Sequence, residues 1–220
     1  MAPSQVERTY QEIRQRVVEG RYRPGMHLAE SMLARIHRSS RTPVREALSR
    51  LLQEGYVELT PKRGYRVTQV TVTLIRNMFQ VRYLLEEEAA AQAATSATEK
   101  EVARLRELLT PTYDAGQPGA YAKALGTNLD FHLTVAQTSH NMLLVDLVRH
   151  CLTQMDRVLS LGVDYQPFHA GASVQHVRIV DAIASRSAAR AKRAMHRHLE
   201  HSFDLLLQVI MRGDVPSVAL

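Results

Sequence analysis

A single cysteine, Cys151, in 220 residues excludes an intrachain disulfide framework and fits a reducing compartment. No apolar run approaches the roughly 20 residues that span a bilayer, and Met1 to Tyr10 is polar and charged, unlike a secretory leader. Those absences predict a soluble, cytoplasmic chain. Excess charge is absent from the larger part: residues 70–220 hold 15 Lys+Arg and 15 Asp+Glu, whereas residues 1–69 hold 13 and 7. The whole net charge of +6 therefore sits in the N-terminal third. A basic module beside a neutral one implies that the first part meets a polyanion and the second does something else. Strand alternation, internal repeats and long low-complexity tracts are missing after residue 73. Nor does any H-E-x-x-H pattern set a general-base Glu beside a metal ligand.

What is present begins with SRTPVREALSRLLQEG, residues 40–55. Thr42 is placed to cap a helix and Pro43 to take its first position, where a missing N–H costs nothing. Leu48, Leu51 and Leu52 recur at helical spacing and leave Arg41, Arg45 and Arg50 to face outward. Such a helix anchors on one face and reads on another. Upstream, residues 5–19 read as a helix with Val6, Ile13, Val17 and Val18 on its apolar side. Arg23-Pro24-Gly25 is a turn, and residues 30–36 form a short second helix. Downstream, residues 56–59 and 65–67 flank a turn at 61–64 and make a β-hairpin, and Gln69 to Thr73 reads as a linker.

Together with Gly20, Leu28, Glu30, Leu33-Ala34 and Gly55-Tyr56-Val57, these residues resemble the winged helix-turn-helix of the GntR family of bacterial transcription regulators. The resemblance implies a double-stranded DNA operator as partner. Arg41 and Arg45, with Thr42 beside them, stand at the helix entrance as the expected base-edge contacts. Arg50, Lys62 and Arg63 are the expected phosphate or wing contacts. The family often uses a basic residue early in the second helix, where this chain has Ser31.

Helical periodicity dominates the remainder, with helices expected over 72–94, 98–110, 119–138, 141–161, 171–185 and 187–211. Breaks are expected near Pro111, Gly116 to Gly119 and Gly162 to Gly171. An antiparallel bundle is the economical architecture. The predicted fold is therefore mostly α: a winged helix-turn-helix over 1–69 and an all-α bundle over 70–220. Three histidines interrupt its apolar stripes. His132 shares a face with Asn128, His176 with Val180 and Ile183, and His198 with Ala191, Ala194 and Leu205. Three helices can thus each aim an imidazole into one cavity, the arrangement a divalent metal such as zinc needs. Isolated histidines on apolar faces are, however, more often hydrogen-bonded core residues.

Asn128-Leu-Asp-Phe131-His132, then Asn141, His176 with Ala182-Ile183, and Met195 to His198-Leu199 resemble the landmarks of the metal-binding FCD domain of FadR-like regulators. The resemblance implies a metal set of Asn128, His132, His176 and His198. The family's first ligand is usually an aspartate, and an amide oxygen in its place supplies no charge. Weaker retention is expected, or a lean toward softer, imidazole-preferring ions among zinc, nickel and manganese. Asp130 sits two positions from His132, about 160° around the helix, and is read as a surface residue; His196 and His201 fall outside the motif. Val81-Arg82-Tyr-Leu-Leu85-Glu86 resembles the start of the domain's first helix, whose arginine commonly reaches the effector. Arg82 is expected to hold a small carboxylate in a bidentate fork, the alternative being an ion pair with Glu86 on the same helix.

The expectation is a ligand-responsive, homodimeric DNA-binding transcription regulator rather than an enzyme, its two-fold symmetry matched to a near-palindromic operator. Two other readings stand beside it. One is a metal-dependent hydrolase or oxygenase fused to a DNA-binding domain. The other is an architectural DNA-binding dimer whose histidines are satisfied core groups.

Overall fold

The computed structural model describes residues 3–61, 63–109, 120–160, 166–211 and 218–219. Lys62 and the expected breaks at Pro111 and Gly116 to Gly119 lie outside the described residues. The chain divides into two units, Met1–Thr71 with Pro216–Leu220, and Val72–Val215.

The first unit runs α1 (Gln5–Val18), β1 (His27–Leu28), α2 (Glu30–Ile36), α3 (Arg41–Gln53), β2 (Val57–Thr60) and β3 (Gly64–Val67). Ser4 caps α1 by accepting from the Glu7 N–H. Tyr10, Ile13 and Val17 of α1 share one core with Val44, Ala47, Leu48 and Leu51 of α3, joined by Leu28, Leu33, Tyr56 and Val67. Val6 and Val18 are only half-buried. Helix α3 starts earlier than the sequence suggested. Ser40 is its N-cap, without a side-chain hydrogen bond, so Thr42 and Pro43 stand second and third in the helix. Pro43 is still accommodated, because the first four N–H groups of a helix have no intrahelical partner.

The hairpin pairs Val57 with Val67, Glu58 with Arg66 and Leu59 with Tyr65. Gly64, at φ +80°, closes its turn in a backbone region that side chains resist. Strand β1 adds antiparallel to β3, giving the order β1-β3-β2. A two-residue strand is too short to show alternation in sequence. The expected linker is also partly strand: β4 (Val70–Thr71) pairs parallel with β5 (Val218–Ala219), and Val70 is fully buried.

The second unit comprises α4 (Val72–Ser96), α5 (Glu99–Glu107), α6 (Ala120–Thr138), α7 (Met142–Ser160), α8 (Gln166–Ala184) and α9 (Ala188–Met211). Helix α4 packs against α6, α7, α8 and α9 and is the bundle's central rod. It buries Ile75, Met78 and Phe79 in its first half and Ala89, Ala90, Ala93 and Ala94 in its second. A capping box between Thr98 and Glu101 opens α5, and Asn141 accepts from the Leu144 N–H at 3.2 Å to open α7. Helix α8 begins at Gln166, inside the break expected over 162–171. Pro167 falls in its first turn, where no N–H is needed. An interior glycine such as Gly171 costs only about 1 kcal/mol, which bundle packing overrides. Among the described residues no helix is long and apolar enough to cross a membrane.

Candidate functional site

Two regions carry functional chemistry. In the first unit, the buried face of α3 leaves Arg41, Thr42 and Arg45 exposed at its N-terminal end. The turn that sets α2 against α3 is held by buried His37, whose Nε2 lies 3.0 Å from the Tyr22 hydroxyl and whose Nδ1 lies 2.6 Å from the Glu12 carboxylate. Arg38 follows at φ +48°. Arg45 forms a fork with Glu30, Nε and one terminal nitrogen each at 3.1 Å from a carboxylate oxygen. With its side chain 67% exposed, that pair contributes little, and another acceptor can replace Glu30. Arg50 is engaged differently: it bonds Glu7 at 2.8 Å and Glu54 at 3.3 Å and lies 3.8 Å over the Tyr10 ring. Arg63 is exposed at the hairpin turn and Ser31 on α2.

In the second unit, α6, α8 and α9 bring His132, His176 and His198 together, all buried, with ligand nitrogens within 4.8 Å of one another. His198 Nε2 lies 3.1 Å from His132 Nε2 and 3.3 Å from His176 Nε2. The outer nitrogens of His132 and His198 are occupied. His132 Nδ1 is 2.5 Å from Glu86 Oε2, and His198 Nδ1 is 3.1 Å from Gln175 Oε1. An acceptor at Nδ1 draws the ring proton there and turns the Nε2 lone pair into the cavity. Phe131 stacks on His176 at 3.9 Å and fixes its plane.

Beneath His132, the second oxygen of Glu86 takes the Arg82 Nε–H at 2.5 Å. Burial alone would push the Glu86 carboxyl up, yet the Arg82 guanidinium and His132 hold it well below the usual carboxylate range, so it is charged. Burial, reinforced by His176 and His132, drives His198 well below the usual imidazole range. The result is a neutral donor. Lone pairs converging at such distances repel unless a cation or proton is shared among them. Zinc binds nitrogen at about 2.0–2.1 Å, and tetrahedral angles then separate adjacent ligand nitrogens by about 3.3 Å. The donor set fits an imidazole-preferring divalent ion. Asn128 stands one turn before His132 on α6, half-buried, and Asp130 is exposed.

Sequence reasoning missed Glu86 and Gln175 as supports of the cluster. Glu86 was visible only as an i+4 partner for Arg82, and that pair is not of the weak exposed kind: the side chains are 2% and 3% exposed. The carboxylate on Arg82 Nε is thus Glu86's own. Gln175 precedes His176 in sequence but serves His198 on the next helix. His196 is exposed and bonds Glu87 at 2.8 Å.

The sequence pattern of the FCD domain matches residues 77–201, and that of the bacterial regulatory proteins of the gntR family matches residues 5–67. The chain belongs to the GntR family and carries an FCD effector domain. It is a DNA-binding transcription regulator, not an enzyme. The regulator is 29% identical to the Nta operon transcriptional regulator of Aminobacter aminovorans, over 90% of this chain and 91% of that one. It is 30% identical to the HTH-type transcriptional regulator LutR of Bacillus subtilis, over 86% and 95%. McbR/YncC of E. coli shares the fold at a TM-score of 0.76 and 21% identity, with 94% of this chain and 99% of that one covered.

Proposed function

We propose that this regulator works as a cytoplasmic homodimer, binds a two-fold operator through residues 1–69, and answers to a small carboxylate held with a divalent metal inside residues 70–220. The convergence of three buried Nε2 atoms, two of them backed by acceptors at Nδ1, carries the reading of the second unit. His132, His176, His198 and the amide oxygen of Asn128 would hold zinc, nickel or manganese, with three imidazoles favouring the first two over manganese. Bound there, the ion supplies open positions for carboxylate oxygens. Glu86 and Gln175 keep the imidazoles in the donating tautomer. Arg82 keeps Glu86 charged through its Nε, and its terminal nitrogens are the second hold on a carboxylate.

On the DNA side, Arg41, Thr42 and Arg45 read base edges, while Arg50, Lys62 and Arg63 serve phosphates. A ligand changes operator affinity only by binding one arrangement of the protein better than another. Elemental analysis of the full chain, with operator titrations in the presence and absence of small carboxylates, tests the reading. His176→Ala should lower bound metal and blunt the carboxylate response while effector-free DNA binding persists. Asn128→Asp should strengthen retention by adding an anionic oxygen. Protein without metal that shows no thermal shift with zinc, nickel or manganese would return the histidines to core duty, leaving an architectural DNA-binding dimer. A monomer in sedimentation would remove the dimer.

A further inference from the structure

The histidine cavity uses the inward faces of α8 and α9, and their outward faces carry different chemistry. Arg190, Arg193 and Arg197 recur at i, i+3 and i+7 along α9, and Arg178 stands across from them on α8. Among the described residues, Asp181 is the single carboxylate lining this groove of about 500 Å³, against four arginines. All four arginines are exposed. Several arginines elsewhere are paired with carboxylates, among them Arg45 with Glu30, Arg66 with Glu58, Arg104 with Glu107 and Arg149 with Asp146. Among the described residues, none of the four groove arginines lies in an ion pair. Arg190 has the Ser185 hydroxyl at 3.4 Å.

We propose that this groove is a second ligand site, a cleft for a small phosphorylated anion on the outer face of the α8–α9 pair. Four cations gathered around one concavity repel one another until an anion enters, and a concave wall focuses their field on it. Planar guanidinium forks match phosphate oxygens two at a time. Arg190 and Arg197 are separated by about 10 Å along the helix at 1.5 Å per residue. That span suits an anion with more than one charged group. A phosphate ester, at roughly −1.5 to −2 per group, neutralises the cluster with fewer groups than a carboxylate. Past Arg178 and Arg197 the groove continues to Gln175, the residue that holds His198 Nδ1, along a stretch where Glu200 and Asp204 add negative charge, so the anion's place is the Arg190 end. An occupant therefore lies outside the histidine cavity.

Isothermal titration of the full chain with inorganic pyrophosphate, at constant ionic strength, tests the site. Saturable binding is expected, weakened at least tenfold in R193A/R197A and to an intermediate degree in R193K/R197K, which keep the charge but lose the fork. Bound metal should be unchanged in both variants, so this site and the histidine site fail independently. Absence of saturation overturns the proposal. So does an unchanged affinity in R193A/R197A, the result expected if pyrophosphate merely stripped metal from the histidines. Equal competition by nonspecific duplex DNA would make the groove a nucleic-acid surface and also overturn it.

Discussion

Glu86→Ala should destabilise the helical unit by about 3–5 kcal/mol, the range for removing one partner of a buried ion pair. Arg82, Glu86 and His132 have side chains 3%, 2% and 1% exposed, so neither remaining partner can recover its lost contact from water. The truncation leaves a guanidinium charge without a counter-ion and takes the acceptor from His132 Nδ1. At roughly 2–4 °C per kcal/mol for a domain of this size, the melting temperature should fall by about 6–20 °C. Replacing Arg82 and Glu86 together with methionine should cost less than Glu86→Ala alone, because no bare charge stays buried. The sign with pH follows from the depressed carboxyl. Its contribution is complete above the ordinary carboxylate range and fades as acid protonates it in the folded state. Urea and thermal unfolding of the full chain, followed by circular dichroism, measure these quantities. A loss below about 1 kcal/mol for Glu86→Ala, against the buried-pair range, would refute the reasoning, as would a double variant no better than the single.

Arg45→Ala should weaken specific operator binding at fixed salt by about 1–3 kcal/mol, the size of a lost bidentate base contact. Arg50→Ala should lower the unfolding midpoint through its lost stack on Tyr10 and also weaken operator binding by removing a phosphate contact; equal affinity in wild type and Arg45→Ala would take Arg45 off the reading surface. The capping box gives a second pH signature. Hydrogen bonds from the Thr98 N–H and hydroxyl and from His140 hold Glu101 down at about 2, so the stability it adds is present above the ordinary carboxylate range. It should drain away as pH falls toward about 2, and Glu101→Gln should flatten that part of the acid-unfolding curve.

Local chemistry made much of the architecture readable. Residues 30–36 were expected as a helix and form one, because a short apolar stripe between a turn and a second stripe has few other solutions. The six later helices follow from the same periodicity. Helix starts were less legible: Thr42 was expected to cap α3, and Ser40 stands at that position instead. Strand β1 could be found only once β3 lay beside it, since two residues carry no pattern.

The sequence by itself determined that three histidines stand on apolar helical faces, that positive charge is concentrated before residue 70, and that arginines crowd the entrance of α3. These are properties of spacing and composition, legible along one helix at a time. Only tertiary structure decided that the Nε2 atoms meet at 3.1 and 3.3 Å, that Glu86 reaches across 46 positions to His132, and that Arg178 faces the arginine row of α9. Helical periodicity says which side of a helix is buried. Which side chains then share a cavity depends on how neighbouring helices are rotated and aligned, and that is settled by packing of the whole bundle.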